Sequence, residues 1–301
     1  MPAVEIAIAS GKGGVGKTTL SSSLIYYFFV ECGVNLVGVD ADVDAPNLDI
    51  YFGESEVIYE RTIKSSRKAF IDKEKCSNCG LCIETCKFNA LEHSSPTPKF
   101  NVHLCEGCGA CRVVCPNNAI DIKIVETGKL LVRRSKHGIY IITGELRVGE
   151  HNSGNLVNLA RALGREYAYK TNSKLIVIDA APGIGCPVVS SITGTHYLIA
   201  VTEPSPFALD NLDRLVKVAE HFKVQMGVVI NKYDISTSFT DKVKYWLKEK
   251  GIDLLGLIPY DRVVVNALSH LKTVLEFDGD SRVAKVIRDI GSKVMSTLNL
   301  G

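Results

Sequence analysis

Two spacings in this chain are able to do chemistry. The first is "SGKGGVGKTT", residues 10–19, set between the apolar run "VEIAIAS" and a helical pattern. Glycine opens left-handed backbone angles, so the N–H groups of Gly11, Gly13, Gly14, Val15 and Gly16 can converge on an anion. The start of the following helix adds its dipole. In such a loop Lys17 pairs with the β- and γ-phosphates and Thr18 ligates Mg²⁺, with Thr19 beside it. Lys12 exceeds what a generic phosphate loop needs. The second spacing is C-x₂-C-x₂-C-x₃-C at Cys76, Cys79, Cys82 and Cys86, repeated 29 residues on at Cys105, Cys108, Cys111 and Cys115. Thiolates this close wrap three corners of an iron–sulfur cube while the fourth comes from elsewhere. Zinc is the competing reading, although paired C-x₂-C zinc elements usually lie further apart.

Carboxylates and an amide join the first site. "LVGVDADVDAPNLD" carries Asp40 and Asp42, and "LIVIDAAPGIG" carries Asp179 and Gly183. A carboxylate at the tip of an apolar strand packs poorly but suits a hydrated metal ion. Helix capping is the alternative for Asp40 and Asp179. Asp44 and Asp49 read as turn residues. "VVINKYD" and "LIPYD" place Asn231, Pro259 and Asp261 at two further strand ends.

The elements that must position these residues follow from periodicity. "VNLVGVD", "KLIVIDA", "HYLIAVT", "VQMGVVIN" and "IDLLGLIP" are strand-length apolar runs suited to burial on both faces. Between them, "ALDNLDRLVKVAEHF" puts Leu209, Leu212, Leu215, Val216, Ala219 and Phe222 on one helical face. Alternation of this kind predicts an α/β fold with a doubly wound, mostly parallel sheet whose ligands sit at the carboxyl ends of the strands. "IYERTIKSSRKAFIDKEK" breaks the rhythm and reads as the entry linker of an α+β insert. The expected division is residues 1–58 and 130–301 for the parent domain, with residues 59–129 inserted.

At 301 residues, with 46% hydrophobic and 23% charged residues, the chain can bury a large core. A formal net charge of +2 gives no long-range pull toward nucleic acid, and none is expected as a partner. No apolar stretch reaches the length of a membrane span, and the start lacks a secretory pattern, so a cytoplasmic location is expected. Eight of ten cysteines cluster, which argues for ligation over disulfides. Cys32 reads as a small buried hydrophobe, and Cys186, just after "DAAPGIG", as packing, a contact beside that loop or a transient cluster ligand. His151 reads as a loop histidine. The basic groups Arg61, Lys64, Arg67, Lys68 and Arg133, Arg134, Lys136 read as solvated or salt-bridged flanks of the insert. The pattern "VAKVIRDIGSKVMSTL" reads as an amphipathic helix covering the sheet.

"KGGVGKTT" resembles the deviant phosphate loop of the MinD/ParA class of ATPases, which includes the nitrogenase iron protein and Mrp-type scaffolds. "DAAPGIGCPVVSS" and "VTEPSPFALDNL" resemble the group of that class with an inserted ferredoxin domain, and the match covers nearly the whole chain. The resemblance implies an ATP-dependent homodimer in which Lys12 reaches the partner's nucleotide. It implies that Asp40 supports Mg²⁺ through water, Asp42 orients the attacking water, and Asp179 is the Walker B acid. It implies Asn231 at the adenine edge and Pro259 lining the base pocket. The cysteine motifs resemble bacterial ferredoxins, where the fourth ligand crosses between motifs. That implies one [4Fe–4S] cluster on Cys76, Cys79, Cys82 and Cys115, and another on Cys86, Cys105, Cys108 and Cys111. The cofactors implied are ATP or ADP, Mg²⁺ and two clusters. Three functions stay open: ATP-gated electron transfer with a redox partner, cluster assembly onto an apo-protein partner, and positioning by an ATPase with structural or sensory clusters.

The first cysteine motif has Lys87 where ferredoxins commonly have proline, and a nearby cation favours the reduced, more negative cluster. Lys87→Pro is expected to lower the potential of the cluster held through Cys86. A redox titration that leaves the potential in place removes the effect.

Overall fold

The apolar runs become strands because β-branched residues buried on both faces suit a parallel sheet covered by helices. In this computed structural model, which describes residues 2–150 and 152–300, the strands are β1 Val4–Ser10, β2 Leu36–Ala41, β3 Ser55–Ile71, β4 Leu91–Glu92, β5 Lys99–Phe100, β6 Ile120–Ser135, β7 Tyr140–Leu146, β8 Leu175–Pro182, β9 Tyr197–Thr202, β10 Gln225–Asn231 and β11 Asp253–Ile258. Nine form one sheet in the order β11-β10-β9-β1-β8-β2-β7-β6-β3, and β4 pairs antiparallel with β5. β1 lies between β8 and β9 and is parallel to both. The crossovers that parallel pairing demands are the helices Lys17–Tyr26, Ser153–Lys170, Cys186–Ile192, Pro206–His221 and Thr237–Lys250.

The chain divides into two compact units. One comprises residues 1–60, 130–145 and 153–301, and the other residues 61–129 and 146–152. Residues 146–152 therefore group with the insert and not with the parent domain. The segment read as an entry linker is strand instead, since β3 runs from Ser55 to Ile71. Its charges misled the reading: much of the strand is exposed, so no apolar run marks it. His151 lies outside the described residues.

The first unit is held by a large apolar core. In the helix Pro206–His221, Leu212, Leu215, Val216 and Ala219 are buried as the periodicity predicts, while Leu209 and Phe222, the latter just past the helix end, are half-buried. The final helix Arg282–Leu298 buries Val283, Ala284, Ile287, Ile290 and Val294 and packs on β11. Gly291 allows a close approach there, because a Cβ would come within 2.5 Å of the Tyr27 ring. No described helix is long and apolar enough to cross a membrane.

The second unit has a small core of Ala69, Cys82, Ala90, Leu91, Cys105 and Ile120. Two positions differ from their reading. Cys32 is exposed, at the end of the π-helical turn Tyr27–Glu31 that continues the first helix. Lys68 is buried, with its Nζ donating to the Cys105 carbonyl at 3.0 Å and lying 3.5 Å from Glu150 Oε1. A buried ammonium is tolerated only with such partners.

Glu5 shows how a charge is kept inside the first unit. Its buried carboxylate accepts from Arg161 Nη2 at 2.7 Å and from Arg165 Nε. Burial pushes its pKa up, and the Arg165 and Arg161 guanidinium groups outweigh this and hold it below the usual carboxylate range. A depressed folded pKa stabilises above the unfolded value of about 4.3, and that stability is lost as pH falls through the folded pKa. Glu5→Gln is expected to cost about 3 kcal/mol near neutral pH. It also flattens the acid limb of unfolding free energy against pH, as followed by urea denaturation.

Candidate functional site

The phosphate loop leaves the carboxyl end of β1 and enters the helix Lys17–Tyr26. Gly14 and Gly16 hold φ of 79° and 92°, angles open to glycine. A Cβ on Gly16 would meet Asn231 Nδ2 at 2.3 Å, and one on Gly11 would meet Asn211 Cβ at 2.5 Å. The loop is thus hemmed in by the helix Pro206–His221 and by the end of β10. Gly13 has open space around it, and Val15 is buried.

Parallel pairing of β2 and β8 sets Asp40 directly opposite Asp179. Both are fully buried. Asp179 gathers three donors: Lys17 Nζ at 2.8 Å and Ser21 Oγ at 2.6 Å on Oδ1, and Thr18 Oγ1 at 2.8 Å on Oδ2. Lys17 Nζ is also 3.2 Å from Thr18 Oγ1. Thr19 Oγ1 meets the Tyr51 hydroxyl at 3.2 Å. Thr18 and Asp179 therefore present oxygens side by side, the hard donor set that suits Mg²⁺.

Asp40 is engaged differently. Its Oδ1 accepts from the backbone N–H of Asp42 at 3.1 Å, and its Oδ2 from those of Asn47 and Leu48, both at 2.8 Å. It braces the loop that follows β2 and is not a helix cap. Burial and then the Asp179 carboxylate push its pKa up to about 7, against the Leu48 N–H and Lys17. Asp42 is half-buried, and burial raises its carboxyl above the usual range.

Asn231 Nδ2 donates to the Val15 carbonyl at 2.7 Å and its Oδ1 accepts from Lys232 N–H at 2.9 Å, so the amide supports the phosphate loop. Pro259 is buried. Lys12 Nζ donates to Glu203 Oε1 of its own chain. Lys232, in left-handed backbone at φ 54°, donates its Nζ to the Gly14 carbonyl at 3.0 Å and faces Glu203 Oε2 at 3.5 Å. Ser21, Glu203 and Lys232 escaped the sequence reading. "INKYD" held the signal for Lys232, since the residue after Asn231 leaves the same strand tip.

The cysteines lie around two small cavities of about 20 Å³ each. Cys76, Cys79, Cys82 and Cys115 line one, and Cys86, Cys105, Cys108 and Cys111 line the other. The sequence repeat recurs in the backbone: Asn78, Gly80 and Asn89 have positive φ, as do Gly107, Gly109 and Asn118. Ala90 N–H donates to Cys86 Sγ at 3.4 Å, and Ala119 N–H to Cys115 Sγ at 3.2 Å. Burial pushes the Cys111 thiol up to about 11 and raises that of Cys82. Among the described residues, no three His, Cys, Asp or Glu side chains are grouped to hold a metal ion. Cys186 is exposed at the start of the helix Cys186–Ile192, which departs from a packing role.

Residues 6–274 match the model of the CobQ/CobB/MinD/ParA nucleotide-binding domain. The chain belongs to this family. It is 32% identical to an uncharacterised protein of Methanocaldococcus jannaschii, over 97% of this chain and 96% of that one. It is 22% identical to the septum site-determining protein MinD of Bacillus subtilis, over 96% and 88% of the two chains. Among solved structures it resembles MinD of Pyrococcus horikoshii complexed with Mg-ADP, with a TM-score of 0.61, 17% identity and 99% and 98% coverage. At that identity the likeness speaks for the fold alone.

The bracing geometry of Asn231 gives a direct test. Asn231→Ala leaves the Val15 carbonyl without its partner, a loss of about 1–3 kcal/mol. Calorimetric titration is expected to show weaker binding of ATP and GTP by similar factors. A loss confined to ATP would return the amide to the adenine edge.

Proposed function

We propose that the chain is a Mg²⁺-dependent ATPase that pairs with a second copy on binding ATP and couples that cycle to one-electron transfer through two [4Fe–4S] clusters. The observation that carries the reading is the sorting of eight cysteines into two cavities with four apiece, each set mixing three residues of one motif with one of the other. A single zinc ion needs its thiolates about 2.3 Å from one point. A cluster bonds one thiolate to each of four irons, so its ligands stay spread around a cage. The spread of these cysteines favours the cage. The N–H donors to sulfur on Cys86, Cys105 and Cys115 suit ligating thiolates. The core of this unit is small and includes Cys82 and Cys105, so ligation supplies stability that apolar burial alone does not.

For the nucleotide, MinD and ParA relatives of the same fold carry the word ATPase in their descriptions. On ATP binding, Lys17 exchanges Asp179 for the β- and γ-phosphates. Thr18 and Asp179 then hold Mg²⁺, with Asp40 fixing the loop that carries Asp42. Asp42 orients the attacking water, and Lys12 of one chain meets the nucleotide of the other. A cation at a developing charge is an established catalytic device. Bound clusters would supply single-electron chemistry at the low potentials open to such centres. Switch loops ordered by the γ-phosphate give the two-state element that gating needs. The small net charge and the sheet-covering role of the final helix argue against a nucleic-acid or membrane partner.

Two substitutions made under anaerobic conditions test the halves separately. Lys12→Ala is expected to abolish ATP hydrolysis and pairing while iron content is unchanged. Cys79→Ala is expected to lose one cluster while ATP binding persists. Normal hydrolysis by the first, or full iron content in the second, would contradict the assignments.

A further inference from the structure

Lys12 is the residue with the most to do in a paired state, yet in the single chain it is already engaged. Its ammonium is bonded to Glu203, the first residue after β9, with the two side chains 26% and 21% exposed. Glu203 also faces Lys232 Nζ at 3.5 Å, and Lys232 donates to the Gly14 carbonyl of the phosphate loop. One carboxylate thus bridges two lysines beside the triphosphate site. The Phe207 ring lies 5.9 Å from Lys12 Nζ and flanks the same pocket.

We propose that Glu203 is a positioning residue for Lys12: it latches the lysine inside its own subunit, and nucleotide-driven pairing must break that ion pair. The inference rests on the reading that Lys12 acts on the partner's nucleotide. An ion pair with both partners partly open to solvent is weak. That strength suits a latch, since it biases the resting state without locking it. In the single chain the pair persists whether or not nucleotide occupies the loop. A second, nucleotide-loaded chain offers Lys12 a phosphate, and Lys12 reaches it only by leaving Glu203. A ligand shifts such an equilibrium only by its differential affinity for the two arrangements, and here that difference lies in the partner's phosphate, which is within reach of Lys12 only in the unlatched arrangement.

The test uses the full chain, purified anaerobically, with a non-hydrolysable ATP analogue. Sedimentation velocity reads the analogue concentration at which dimer forms, and a fluorescent ATP analogue reads affinity at protein concentrations below pairing. Glu203→Gln is expected to lower the dimer midpoint about fivefold, the size that loss of about 1 kcal/mol implies. Monomer affinity is expected to stay within about twofold. Glu203→Ala, the second variant, is expected to move the midpoint the same way. An unchanged midpoint in both variants, or a change matched by monomer affinity, overturns the latch. Lys12→Ala separates this from the underlying reading. If it fails to pair while the Glu203 variants behave as wild type, the latch alone falls; if it pairs normally, the role of Lys12 across subunits falls with it.

Discussion

The buried carboxylate of Asp179 is the constraint on which the nucleotide site is built. It sits at the end of β8 with no exposure, and it collects Lys17, Thr18 and Ser21 from one turn of the helix that follows the phosphate loop. An isolated charge in that place costs several kcal/mol, and one matched by an ammonium and two hydroxyls does not. The arrangement keeps the loop in shape. In the proposed function the same partners would meet Mg²⁺ and phosphate, so binding would exchange one satisfied network for another. Asp40, across the parallel register, stiffens the neighbouring loop with three backbone bonds.

The cysteine unit obeys the opposite logic. It has few large apolar side chains, and its core draws on Cys82 and Cys105 themselves. Its order comes from repeated backbone turns, set by asparagine and glycine at positive φ in both copies of the motif. Thiols pushed upward by burial, as at Cys111, are poor thiolates by themselves. Under the proposed reading, metal bonding would reverse that cost, since a coordinated thiol is deprotonated outright. The parent domain is held by apolar burial, and in that reading ligation would do the same work for the insert.

Much of this was legible in the residues, for reasons that can be named. The strands flanking the phosphate loop are buried on both faces, so their composition announces them. Leu212, Leu215, Val216 and Ala219 announce their helix by spacing. β3 was missed because much of it is solvent-facing and charged, which removes the apolar run that marks a strand. Lys68 was read as solvated because composition cannot show that a carbonyl and a carboxylate wait for it inside. The loop contact of Asn231 was hidden for a similar cause: an amide at a strand tip can serve a base, a loop or both, and nothing in composition marks its 2.7 Å bond to the Val15 carbonyl. Glu203 carried no signal, since a lone glutamate after a strand has no pattern.

The central claim is that nucleotide-driven pairing and two tetranuclear clusters belong to one molecule. Native mass spectrometry under anaerobic conditions, with and without a non-hydrolysable ATP analogue, reads both at once. The account predicts a single chain bearing two [4Fe–4S] clusters without nucleotide, and two chains with two nucleotides and all four clusters when the analogue is added. A chain free of iron, or one that stays single with nucleotide bound, would contradict it.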